Sequence, residues 1–74
     1  MNKYTVIYYK NGKEIYRDFG RNHIERQYDK VVFKGLNTNL SEEESDSVFV
    51  VDSTVHIIST ACILVHVSSL DVKI

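Results

Sequence analysis

Residues 48–67 read VFVVDSTVHIISTACILVHV, and eleven of these twenty are Val, Ile, Leu or Phe. Most of them branch at Cβ. A branched Cβ loses χ1 freedom in a helix but sits well on a pleated surface, so the stretch reads as strand. Apolar residues fall on both parities within Val48–Val51 and again within Cys62–Val67. A strand of that kind is covered on both faces. A chain of 74 residues has little material to cover both, so self-association into a homo-oligomer is expected.

Size supports the same expectation. At this length only about 60–65% of the unfolded surface is buried on folding, and domains this small lean on disulfides, metals or oligomerisation. Cys62 is the single cysteine, so no internal disulfide can form. It lies in an apolar run and reads as a small buried hydrophobe. His23, His56 and His66 make no metal-ligand spacing with it. The chain forms one domain, 1–74.

The opening MNKYTVIYY lacks the charge pattern, long apolar core and cleavage site of a secretory signal. No apolar run approaches the roughly 20 residues that a membrane helix needs. A cytoplasmic protein is therefore expected. The net charge of −1 hides an asymmetry: residues 1–40 carry eight Lys/Arg and four Asp/Glu, a balance of +4, whereas residues 41–74 carry one Lys and six Asp/Glu, a balance of −5.

Upstream, residues 4–19 read YTVIYYKNGKEIYRDF. Asn11-Gly12 between two β-rich runs signals a type I′ hairpin, because both residues tolerate positive φ. A two-residue loop sets Tyr9 opposite Glu14, Tyr8 opposite Ile15, Ile7 opposite Tyr16, Val6 opposite Arg17, Thr5 opposite Asp18 and Tyr4 opposite Phe19. One face then carries Tyr4, Val6, Tyr8, Ile15 and Phe19, with Arg17 as the exception. The other carries Ile7, Tyr9 and Tyr16 among Thr5, Glu14 and Asp18, which suits either an interface or cross-strand aromatic pairing on an open sheet.

Residues 21–30 are polar apart from Ile24 and Tyr28, whose spacing suits one or two helical turns capped by Asn22, an edge strand or a loop. Val31–Phe33 is a short strand stopped by Gly35. Residues 37–47 read as an acidic loop, with a short helix capped by Ser41 as the alternative. Asp52-Ser53 interrupts the apolar third as a bulge in one long strand or as a turn between two, the turn or a sharp bend being preferred because neither residue is a strand former, and residues 59–61 suit a tight connection or a 3₁₀ turn. Ile63–Val67 is the next strand. Leu70, Val72 and Ile74 alternate with polar residues in a half-buried final strand. The fold class is all-β, or mostly β with one short helix: an N-terminal β-hairpin and a C-terminal meander in a small, partly open barrel or sheet.

Catalysis finds little footing. Ser59 and Cys62 are near histidines in sequence, but no nucleophile-elbow motif surrounds either. Glu42-Glu43-Glu44 with Asp46 lacks the spacing and turn glycine of a calcium loop. The three glycines stand too far apart to cradle a phosphate. A non-enzymatic protein without cofactor or metal is expected. Arg17, Arg21 and Arg26, with Tyr9 and Tyr16, are the candidate ligand-binding residues: guanidinium forks suit phosphate oxygens and rings suit bases. Tyr9 and Tyr16 share one hairpin face and Arg17 points to the other, so a neighbouring subunit is expected to complete the site. The competing expectation is that these arginines pair with Asp18, Glu25 and Asp29 at the surface. The slightly acidic balance disfavours extended nucleic acid.

The opening YTVIYYKNGKEI and the closing HIISTACILVHVSSLDVKI resemble the small β-rich accessory proteins of phages and prophages in low-GC bacteria. The resemblance implies an inhibitor acting in the host cytoplasm, one that binds a host defence protein or sequesters an anionic nucleotide signal. The closing segment is also similar to the final strands of Sm-like or SH3-like barrels, which implies as the alternative a nucleic-acid-binding small barrel of regulatory type.

Overall fold

The computed structural model describes residues 3–21 and 23–74. Five strands form one open sheet: β1 (Tyr4–Lys10), β2 (Lys13–Arg21), β3 (Lys30–Val32), β4 (Ser47–Ile57) and β5 (Cys62–Lys73). Their order is β2-β1-β5-β4-β3. Neighbours are antiparallel except β1 and β5, which run parallel from Thr5 beside Cys62 to Tyr9 beside His66. The fold is therefore all-β with one short helix, α1 (Glu42–Ser45), as the composition implies. The parallel pair is what a simple meander does not contain. It places the apolar first half of β5 between β1 and β4, where both of its edges are covered and Ile63, Val65 and Val67 are buried.

The Asn11-Gly12 turn forms as expected, with φ of +53° and +76°. Tyr9 pairs with Glu14, but the expected hairpin register is displaced by one residue from Tyr8 to Val6 and by two at Tyr4. Ile15 is an extra residue on β2, so Tyr8 faces Tyr16, Ile7 faces Arg17 and Val6 faces Asp18. The bulge corrects the expected faces. Ile15 and Tyr16 both turn to the core, and Arg17 leaves it. An arginine in the core face would have lacked a partner, and one inserted residue removes that conflict. Phe19, expected in the core, is 71% exposed.

The expected break at Asp52-Ser53 is a second bulge inside one long strand, between Val51 opposite Val67 and Ser53 opposite His66. Likewise β5 runs unbroken to Lys73, where two strands were expected. Its last apolar residues, Leu70, Val72 and Ile74, are exposed and not half-buried. A 3₁₀ turn, Ile58–Thr60, joins β4 to β5 and closes with Ala61 at φ +50°. The Ser41 side chain caps α1 by accepting from the Glu44 N–H at 3.2 Å. Residues 23–29 form neither helix nor strand, and the expected cap Asn22 lies outside the described residues.

The core lies on one face of the sheet. Val6, Phe49, Val51, Ile63 and Val65 are almost wholly buried there, each contributing about 1.5–3 kcal/mol by removal from water. Phe33, in the connection after β3, covers them and stands edge-on to Phe49 with ring centres 5.5 Å apart. Ile24 and Leu40 add to the cover. The connection is tied to β2 where Asn39 donates its N–H to the Ile15 carbonyl at 2.9 Å.

A Cβ added at Gly12 would meet nothing within 4 Å, so only the backbone resists substitution there. Gly12→Val is expected to lower stability by about 1–2 kcal/mol because a β-branched residue disfavours positive φ. Gly12→Asn should lose clearly less. Denaturant midpoints of the two variants check this.

Candidate functional site

Three local features build a cleft between the edge strands β2 and β3. The Ile15 bulge brings Tyr16 onto the core side beside Tyr8, ring centres 5.9 Å apart. Gly20, at φ +74°, accompanies a second register shift that sets Arg21 opposite Tyr4. The segment before β3 is then fixed to the sheet. The Tyr28 N–H donates to the Val51 carbonyl and the Val51 N–H to the Asp29 carbonyl, both at 2.8 Å. The Asp29 carboxylate also accepts from the Arg26 N–H. These bonds hold the preceding Ile24 and Glu25 inward.

The cleft has a volume of about 360 Å³. Tyr8, Tyr16 and Phe33 give it aromatic walls, and His23, Asp29 and Lys30 lie along it with the pair Arg21 and Glu25. Glu25 is only 6% exposed. Its Oε1 accepts from the Tyr8 hydroxyl at 2.8 Å and from Arg21 Nη2 at 2.5 Å. Its Oε2 is buried and has no hydrogen-bond partner among the described residues. A buried carboxylate oxygen left unmatched is costly, and this one belongs to a side chain that borders the aromatic surface.

Arg21 is fully engaged. Its Nε donates to the His23 carbonyl at 2.9 Å, and its Nη1 donates to Asp18 at 3.2 Å while Nη2 serves Glu25. Burial opposes its charge, but Tyr8, Glu25 and Asp18 outweigh burial and hold its pKa above the ordinary value. The Tyr8 phenol is pushed well above the ordinary range, first by burial and then by its bond to the Glu25 carboxylate.

The five expected ligand residues do not converge. Tyr16 and Arg21 line the cleft. Tyr9 and Arg17 lie on the opposite face of the sheet. There Tyr9 stacks on His66 at 5.6 Å, and Arg17 forks onto Glu14 at 2.8 and 3.1 Å. Arg26 is exposed on the segment before β3. Arg17 and Arg21 are thus paired with nearby acids, although the partner of Arg17, Glu14, is not one of the three acids expected. Glu25, Asp29 and Phe33 join the cleft without having been singled out as ligand residues. The Tyr8 core position was legible from alternation, but no local pattern distinguishes a buried Glu25 from a solvated one.

Among the described residues, no group of three His, Cys, Asp or Glu is placed to hold a metal, and no helix is long and apolar enough to cross a membrane. Comparison with protein-family models, curated proteins and solved structures gives no match.

Tyr8→Phe removes one donor from a buried carboxylate and should cost about 1.5–3 kcal/mol at neutral pH. Because the folded state raises the phenol pKa, it keeps a proton that the unfolded chain loses. The Tyr8 contribution is therefore complete below the ordinary phenol range and is lost as pH rises through the folded value. The stability gap between wild type and Tyr8→Phe should narrow at alkaline pH in paired denaturant melts. The variant's tyrosinate absorbance should also lack the last-rising step.

Proposed function

We propose that this protein acts by binding and not by catalysis, and that its ligand is a compact, nucleotide-like molecule taken up in the β2–β3 cleft. The observation that supports this reading is the unmatched Glu25 Oε2 beside Tyr8, Tyr16 and Phe33 in a cleft of about 360 Å³. A nucleobase brings the two things such a cleft lacks: an N–H donor for a carboxylate and a flat ring for an aromatic wall. Lys30 and His23 are the groups left to meet a phosphate, since Arg21 is engaged by Asp18, Glu25 and the His23 carbonyl. The covered Oε2 becomes reachable when Glu25 or a neighbouring side chain turns. Binding is therefore expected to involve local rearrangement.

In this reading the biological role is the one that the resemblance to phage accessory proteins implies. The protein is an inhibitor in the host-cell cytoplasm, withholding a nucleotide signal from a defence system. The alternative, a regulatory nucleic-acid-binding barrel, draws support from the 3₁₀ turn between the last two strands. A net charge of −1 gives it no broad basic surface.

Calorimetric titration with a panel of mononucleotides and cyclic nucleotides tests the proposal. At least one member should bind, and Glu25→Gln should weaken it about tenfold or more, the equivalent of a lost charge-assisted bond. Arg17→Ala, on the far face, should leave affinity unchanged. Absence of binding across the panel, or equal loss in both variants, would remove the cleft from consideration.

A further inference from the structure

The long β4–β5 hairpin overhangs the sheet. β3 pairs with β4 only as far as Val50, and the Tyr28 and Asp29 backbone reaches one residue further, to Val51. Beyond the Asp52 bulge, Ser53–Ile57 pairs with β5 on one side. On its other side it has no backbone partner among the described residues. This is a bare strand edge of five residues, STVHI.

Exposed edges are normally guarded by lysine, proline, inward-pointing charge or a covering loop. Here none is present. From Ser53 to Leu70 the sequence contains no Lys, Arg, Asp, Glu or Pro. The edge is also apolar on one face. By register, Val55 lies beside Leu64 and Ile57 beside Cys62 on the face opposite the core. Val55 is 46% exposed, and Ile58 at the tip is 91% exposed. At this end of the sheet, a hollow of about 400 Å³ walled by Tyr4, Cys62 and Ile63 adjoins His56, Ile57 and Ile58. By contrast, the outer edge of β2 carries Lys13, Arg17, Asp18 and Arg21 and is partly occupied by Asn39, and the outer strand β3 is only three residues long and begins with Lys30.

We infer that the β4 edge is the self-association surface, and that a second copy of this chain pairs with it antiparallel about a two-fold axis at Val55. In that register Ser53 of one copy lies opposite Ile57 of the other. The two open sheets become one continuous ten-stranded sheet. A second copy is the occupant that the charge pattern selects. An isologous contact sets every residue against its symmetry mate or near it, so any net charge would oppose itself, and this edge carries none. The free N–H and C=O groups of one strand pair with the C=O and N–H groups of the other, and Val55 and Ile57 on the face opposite the core extend the contact beyond the ladder. This also accounts for a hairpin whose two faces are more apolar than one short chain can cover. The contact is separate from the β2–β3 cleft.

Sedimentation and backbone amide exchange test the inference. At micromolar concentration the wild type should sediment with about twice the 8.6 kDa of the single chain. Val55→Lys and Val55→Glu should each sediment as monomers, because each sets like charges together at the axis. An equal mixture of the two should regain the dimer mass. The wild-type amides of Ser53–Ile57 should exchange more slowly as concentration rises, and this measurement stands even if a variant fails to fold. A monomeric wild type would overturn the inference. So would a Val55→Lys dimer as tight as wild type, a mixture that stays monomeric, or amides at 53–57 that ignore concentration.

Discussion

The fold hangs on the parallel ladder between β1 and β5. It joins the first strand of the chain to the last, and without it the β1–β2 hairpin would be a two-stranded ribbon separate from the three strands β3, β4 and β5. A lone two-stranded hairpin is marginal in water at best. Once β5 lies between β1 and β4, Val6, Ile63 and Val65 become neighbours at the centre of the sheet and are lost to solvent almost completely. Contacts between chain ends form at the largest loop-closure cost, so this ladder is also the part of the fold expected to be slowest to assemble.

The bulge at Ile15 is the second determinant, and its effect is chemical as well as geometric. A strand side chain changes face with every one-residue step, so one extra residue exchanges the surroundings of everything beyond it. Tyr16 moves to the aromatic cluster with Tyr8 and Phe33, while Arg17 moves out to Glu14. A regular hairpin would have placed an arginine in the core and an aromatic ring outside. The cleft beside β2 owes its aromatic wall to this single insertion.

Glu25 then gives the cleft its character. Arg21 and Tyr8 meet only one of its two oxygens, so a strong acceptor is retained in a low-dielectric setting where any matching donor gains more than it would in water. The same arrangement explains why the arginines are a poor guide to an anionic site. Arg21, which lines the cleft, is already paired with Asp18 and Glu25, and Arg17 on the far face with Glu14, so the local balance of charge is mixed. In the proposed reading, recognition would depend on donor geometry and ring contact more than on attraction of charge.

The sequence by itself determined the strand content, the Asn11-Gly12 turn, the short β3, the capped turn at Ser41 and the tight link before Cys62. These features rest on local rules of φ, side-chain branching and capping, which act within a few residues. It also carried the excess of apolar surface in the closing third, because parity is read directly from the letters. Only the tertiary structure decided the order of the strands, the two bulges, the faces of Tyr16 and Arg17, and the burial of Glu25. Each of those depends on which distant segment lies alongside: β5 beside β1, Asn39 beside Ile15, Val51 beside Asp29. The candidate site lay mostly in that second category. Tyr16 and Arg21 were legible as residue types suited to a ligand, but Glu25 sits in a polar run like any solvated acid. Its burial arises because the segment before β3 is pinned to β4, a contact between residues far apart in the chain that no local pattern encodes.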